Sequence, residues 1–201
     1  MTRTTKRSYH HGDLRRALID EALRAIADEG PSALSLRELA RRLGVSHAAP
    51  AHHFTDKAGL LTAVATEGFG LLAADLRETY ERTGRFLEVG VAYVRFATGH
   101  RAHFEVMFRP ELYRRDDPEC VVARARARAM LYGPVGELIG GHDQDEVVRA
   151  GVAAWALVHG LATLHLNGNL PERLGDDPEA IARAVASRLF LGRPGGEPRP
   201  T

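Results

Sequence analysis

Two groups of residues in this sequence have the types and spacing to do chemistry. The first is polar and lies between residues 35 and 57: Ser35, Arg37, Ser46, His47, Ala48, His52, His53 and Lys57. Hydroxyls, imidazoles and cations donate hydrogen bonds to phosphate oxygens, and His47 can also donate to a guanine N7 or O6. Ala48 is small enough to let the backbone approach a base edge. The second group is mostly apolar: Tyr93, His103, Phe104, Met107, Phe108, Trp155 and His159, with Phe96 and Met130 of similar type. Aromatic and thioether side chains around a few polar groups can line a pocket for a small molecule. At helical spacing the same residues equally describe ordinary core.

Other chemistries find no support. There is no Gly-x-Ser-x-Gly elbow, P-loop, Rossmann fingerprint or His-Glu-x-x-His, so no catalytic residue is assigned and the chain is not expected to be an enzyme. His100 and His103 are three apart and could ligate a metal together, but no third ligand has suitable spacing, and His159 and His165, six apart, share a face poorly. No metal or other cofactor is expected. The single cysteine, Cys120, allows no disulfide within the chain and is compatible with a reducing cytoplasm. The N-terminus lacks an apolar signal core and no apolar run approaches ~18 residues. A cytoplasmic protein without a membrane partner is therefore expected.

The formal net charge is only +1, but it is unevenly spread. The first 61 residues carry ten Lys and Arg against seven Asp and Glu, with five His, while the remainder is slightly acidic. A phosphate-binding front and a neutral remainder fit this pattern.

Elements that would position these groups are all helical. A basic arm over 1–11 contains Arg3, Lys6, Arg7, His10 and His11 and no acid. From a cap at Asp13, residues Leu14, Leu18, Ile19, Ala22, Leu23 and Ile26 form one apolar stripe that Gly30 ends. Ser35 and Glu38 have capping-box spacing before Leu36, Leu39, Ala40 and Leu43. Gly44 closes that helix, and Ser46 is placed to cap the next after a tight turn. Helix, glycine turn, helix is the helix-turn-helix pattern, here over 35–54. Asp56 caps a long segment with Leu60, Leu61, Val64, Phe69, Leu71, Leu72 and Leu76 as its apolar positions. Further helices are expected near 86–98, 101–108, 118–140, 144–167 and 178–191, about nine in all. Asp-Pro-Glu marks two of the starts and Asp143 with Glu146 a third. The Pro/Gly-rich tail, 193–201, is expected to be disordered. No period-two strand pattern occurs.

The stretch SLRELARRLGVSHAAPAHHFTDKAGLL, residues 35–61, resembles the DNA-binding domain of tetracycline-repressor (TetR) regulators. Leu39-Ala40, Gly44-Val45-Ser46, His53-Phe54, Lys57 and Leu60-Leu61 all fall in register with that family's pattern, and the similarity spans roughly residues 12–72. Ala154-Trp155-Ala156-Leu157-Val158-His159-Gly160 is similar to the Trp-His-Gly segment of one ligand-domain subgroup. The resemblance implies an all-α fold, with a three-helix helix-turn-helix domain at 12–72 and a helical ligand-binding and dimerisation domain at 73–192. It implies contact with the sugar-phosphate backbone by His53 and a homodimer formed through the last two helices. Their stripes are Val147, Val148, Val152, Ala153, Ala156 and Leu157, and then Ile181, Ala184, Val185, Arg188 and Leu189. The partners implied are a palindromic double-stranded operator and a small-molecule effector that releases it, repression being the usual outcome. One departure stands out: a Tyr that contacts phosphate in the family is Ala51 here, preceded by Pro50, which implies a smaller or rearranged phosphate footprint. A helical protein-interaction adaptor without DNA binding, and an enzyme using the second domain, are the alternative readings.

Overall fold

Gly30 and Gly44 end the first two helices, and both have positive φ, 78° and 66°. Glycine adopts that backbone without a Cβ clash, so each marks where helix yields to turn. The protein is described here by a computed structural model over residues 11–140 and 143–190. Among the described residues there are eight α-helices, three short 3-10 helices and no strand. They are α1 (His11–Glu29), α2 (Leu36–Arg42), α3 (Lys57–Thr83), α4 (Phe86–Gly99), α5 (Arg101–Met107), α6 (Pro118–Ile139), α7 (Gln144–Leu166) and α8 (Pro178–Phe190). The all-α expectation holds. The basic arm, except His11, and the 193–201 tail fall outside the described residues.

The chain divides into two compact units. One comprises the chain up to Gly68 together with Ala102–Val121; the other comprises Phe69–Arg101 and the chain from Val122 onward. In the first unit the predicted stripes become the core: Leu18, Ile19, Ala22 and Ile26 of α1, Leu39 and Ala40 of α2, and Leu60, Leu61 and Val64 of α3 are all buried. Each such large side chain contributes roughly 1.5–3 kcal/mol on leaving water. In the second unit α4 is the central helix. It buries Val89, Val91, Ala92, Tyr93, Val94, Phe96 and Ala97, nearly all round its circumference, and packs on α7 and α8. Leu71 departs from its predicted role and is exposed, about 100° round α3 from buried Leu72.

Caps fall largely where expected. Asp56 Oδ1 accepts from the Gly59 N–H at 2.8 Å, Asp143 Oδ1 from Asp145 at 2.9 Å, and Asp177 Oδ1 from Glu179 and Ala180 at 2.9 and 3.2 Å. Two expectations are corrected. Helix α1 begins at His11, so Asp13 lies inside its first turn and is not its cap. Ser35 has the extended backbone of a cap residue, but its side chain makes no cap hydrogen bond. The capping box fails because Glu38 is engaged elsewhere: it accepts from Arg41 at 2.6 and 2.8 Å and from Arg42 at 3.0 Å. A charge-assisted fork outcompetes the single backbone N–H that the box would supply.

Helices α3 and α7 each contain an 18-residue window apolar enough, by length and composition, to cross a membrane. Counting uninterrupted apolar runs passes over them. Over half of the α3 window is buried, as in a core helix, and the α7 window carries the exposed face described below.

Candidate nucleic-acid interface and ligand pocket

The reading segment departs from a regular α-helix. Ala49–His52 is a 3-10 helix whose N-cap residue is Ala48, not Ser46. The cause is Pro50. In an α-helix the N–H of residue 50 would bond the Ser46 carbonyl, and proline has none. That carbonyl is taken instead by the Ala49 N–H at 3.0 Å, and the tighter i→i+3 pattern continues from Ala51 to Ala48 at 3.1 Å and from His53 to Pro50 at 3.0 Å. Pro50 and Phe54 are buried and fix the segment, with the Arg15 guanidinium 5.4 Å from the centre of the Phe54 ring.

This arrangement exposes Ser46, His47, Ala48, Ala51 and His52, while His53 is half-buried. Ser35 and Arg37 are exposed at the start of α2. Lys57 opens α3, and its Nζ donates to the Ser32 carbonyl at 2.7 Å, tying the loop before α2 to the start of α3. All eight residues expected to meet DNA therefore sit within one stretch of the first unit. Asp56, besides capping α3, accepts from Arg114 Nη2 at 2.7 Å, and Thr62 accepts from the Arg114 N–H at 3.0 Å. Sequence reasoning missed Arg15 and Arg114, because neither contact has a periodic signal.

In the same unit a partly exposed network is anchored by buried His103. His103, on α5, bonds Glu67 at 3.1 Å through Nε2, and Glu67 also pairs with Arg16, which holds Asp20 at 2.6 Å. Burial alone would push the Glu67 carboxyl up, but hydrogen bonds from Arg16 and His103 outweigh it and hold the group below the usual range. An ionised carboxylate only accepts, so His103 donates from Nε2. Among the described residues no cluster of three metal-ligating side chains forms.

The second group of candidate residues is divided between the units. His103, Phe104, Met107 and Phe108 belong to the first, where Gly68 allows α5 to approach α3: a Cβ there would lie 2.5 Å from Met107 Sδ and 3.0 Å from His103 Cβ. Tyr93, Trp155 and His159 meet in the second. Trp155 Nε1 donates to the Tyr93 hydroxyl at 3.1 Å, and that hydroxyl lies 2.9 Å from His159 Nδ1. Burial pushes the Tyr93 hydroxyl up, partly offset by the Trp155 bond, and burial pushes His159 down. Both stay neutral near pH 7, so Tyr93 donates to Nδ1 and the His159 proton resides on Nε2. About one helical turn from Tyr93 on α4, a small apolar cleft is lined by Phe86, Leu87, Gly90, Leu131, Ala154, Val158 and Ala186, with a free volume of about 10 Å³. Gly90 keeps it open, since a Cβ there would stand 3.2 Å from Val158 Cγ1.

On α7 the expected interface stripe splits. Val147 faces the core, while Val148, Val152, Ala153 and Ala156 are exposed and Leu157 is half-buried. On α8 Ile181 is buried, Val185 half-buried and Ala184 and Arg188 exposed; the Leu189 side chain lies outside what is described.

Two family models match the chain. The one for bacterial regulatory proteins of the tetR family covers residues 18–64, and the tetracyclin repressor-like C-terminal domain covers 86–189, just over half of the sequence. The chain belongs to the TetR family. Among solved structures, a protein of unknown function from Rhodococcus sp. RHA1 superposes with a TM-score of 0.76 at 33% identity, covering 92% of this chain and 98% of that one. The TetR-family regulator PfmR from Thermus thermophilus shares the fold with a TM-score of 0.66 at 22% identity, over 88% of this chain and 98% of its own. A curated relative, the HTH-type transcriptional regulator BetI of Rhizobium meliloti (strain 1021), is 44% identical over 61 residues, only 30% of either chain. The reading segment of this TetR-family chain thus carries its family's register with a 3-10 turn imposed by Pro50.

Proposed function

We propose that the chain is a cytoplasmic one-component transcriptional repressor that binds a palindromic operator as a homodimer and releases it on binding a small molecule. The observation that carries this reading is the α2–Gly44–3-10 arrangement, in which Ser46, His47 and Ala48 are exposed, as are Ser35 and Arg37 at the start of α2. Ser46, His47 and Ala48 face base edges in the major groove; Ser35, Arg37, His52, His53 and Lys57 meet phosphates. Regulation rather than catalysis is the chain's role.

The effector site in this reading centres on Tyr93, Trp155 and His159 next to the apolar cleft. His103, Phe104, Met107 and Phe108 complete the set of effector-responsive residues. The effector acts by binding one dimer geometry more tightly than another, so that the reading segments no longer match both half-sites. Helix α3, which starts at Lys57, is the lever.

Selection from a random-sequence duplex pool tests the central statement. A two-fold symmetric sequence should be enriched, its half-sites about 34–36 Å apart, bound with strong salt dependence. Recovery of no preferred sequence and no duplex affinity would favour the adaptor reading.

A further inference from the structure

We propose that Arg114 is a positioning residue of the DNA-binding site: its guanidinium neutralises Asp56 and so lets Lys57, at the start of α3, meet a phosphate. The inference rests on the DNA-binding reading above and adds to it a residue from outside the helix-turn-helix.

The start of α3 poses an electrostatic difficulty. Asp56 is the only acidic residue between Glu38 and Glu67, and it stands next to Lys57 in the chain. Its carboxylate is needed there, because Oδ1 caps α3 by accepting from the Gly59 N–H at 2.8 Å. A phosphate approaching Lys57 would therefore meet a negative charge that offsets much of the attraction of the ammonium. Lys57 is otherwise suited to the contact. Its Nζ donates to the Ser32 carbonyl at 2.7 Å, and an ammonium carries three N–H donors, so two remain for a phosphate.

Arg114 removes the difficulty. Its Nη2 donates to Asp56 Oδ2 at 2.7 Å, so the two oxygens of one carboxylate are divided between the cap and the guanidinium. Gly59 makes room for this, since a Cβ there would stand 2.9 Å from Arg114 Nη1. Glycine is a poorer helix former than alanine, and here the space it leaves holds the guanidinium.

The backbone at Arg114 is fixed independently of its side chain. The Arg114 N–H donates to Thr62 Oγ1 at 3.0 Å, and its carbonyl accepts from the Asp117 N–H at 3.3 Å. The Thr62 hydroxyl donates in turn to the Ala58 carbonyl at 2.7 Å. A segment that follows α5 is thereby anchored on α3, and it delivers a cation to a carboxylate 58 positions away in the chain. The Arg114 and Asp56 side chains are 44% and 53% exposed. An ion pair so open to water adds little to stability, which separates its electrostatic part from any part in holding the fold.

The test is a charge cycle, read by anisotropy with the full chain and a labelled duplex of roughly 30 base pairs of arbitrary sequence, near 50 mM salt. R114Q leaves Asp56 uncompensated and should weaken binding ~5-fold. D56N keeps a capping oxygen, because asparagine caps as well as aspartate, but leaves the charge of Arg114 unopposed. It should tighten binding by a similar factor. D56N/R114Q restores the net charge of the pair and should bind within ~2-fold of the parent. All three differences should shrink near 200 mM salt, with urea midpoints close to the parent's. A purely structural brace would behave otherwise: D56N and R114Q would each weaken binding, and the double variant would do no better. That pattern, or an R114Q chain that binds as the parent does, overturns the proposal while leaving DNA binding intact. Absence of duplex binding by the parent overturns both.

Discussion

At Tyr93 one hydroxyl serves two partners, accepting from the Trp155 indole and donating to His159. Replacing Tyr93 by Phe keeps the ring that fills the core between α4 and α7 but removes this bridge. A half-buried acceptor and a half-buried donor then lose a partner, which costs about 0.5–1.5 kcal/mol. Urea unfolding should show that loss with the helical circular dichroism spectrum retained; a variant as stable as the parent would mean the bridge contributes nothing net. The same site sets a pH dependence. Burial holds the folded-state His159 below its ordinary value, so its contribution is present above ~6.5 and is lost as pH falls from there through the folded value. Denaturant midpoints should decline between pH 7 and 5, and H159Q should blunt the decline. If the His159 substitution leaves the slope untouched, the pH dependence originates elsewhere.

Among the elements, the reading segment is the least regular and the most exposed to test. Pro50 turns it into a 3-10 helix, and exposed Ala51 occupies the position where the family resemblance implies a phosphate-contacting Tyr. In A51Y a phenol hydroxyl is restored at a solvent-facing position, so binding to duplexes of unrelated sequence should tighten alike, by roughly the ~0.5–1.5 kcal/mol of one hydrogen bond. Unchanged affinities in anisotropy titrations would mean that the 3-10 turn aims residue 51 away from the backbone. That geometry shows where sequence reading stopped. The stripes of α1, α2 and α3, the caps at Asp56, Asp143 and Asp177 and the glycine stops were legible, because each depends on a few residues at fixed local spacing. The form of the 46–54 segment depended on which neighbour claims the Ser46 carbonyl, and the fate of the Ser35 box on the Arg41–Glu38 fork. The meeting of Tyr93 with Trp155 and His159 joins residues over sixty positions apart, which no periodicity encodes. Gly90 gave no signal either, since its part in the cleft is the absence of a side chain.

For the whole molecule, the proposed dimer would be joined through the exposed face of α7, and that face would set how many reading segments act together. Val148, Val152 and Leu164 are 46%, 44% and 44% exposed, far from the burial of Val147, Val158 and Leu161 on the same helix. Val148, Val152 and Ala156 follow one another at four-residue steps, so they line one side of the helix, with exposed Ala153 beside them. An exposed apolar strip of this kind is the surface on which the proposed dimer would form. Its small residues permit the close helix approach of a four-helix junction between two copies. Val152 lies within this strip yet does not contribute to the chain's own core, which separates assembly from folding. V152E should therefore leave the helical spectrum unchanged while shifting sedimentation from a dimer to a monomer. Two linked half-sites gain from effective concentration, so the monomer should bind a symmetric operator ~10²-fold or more weakly, yet bind an isolated half-site as the parent does. A V152E chain that still sediments as a dimer would move the interface off α7. A monomer with undiminished operator affinity would instead show that one reading segment suffices.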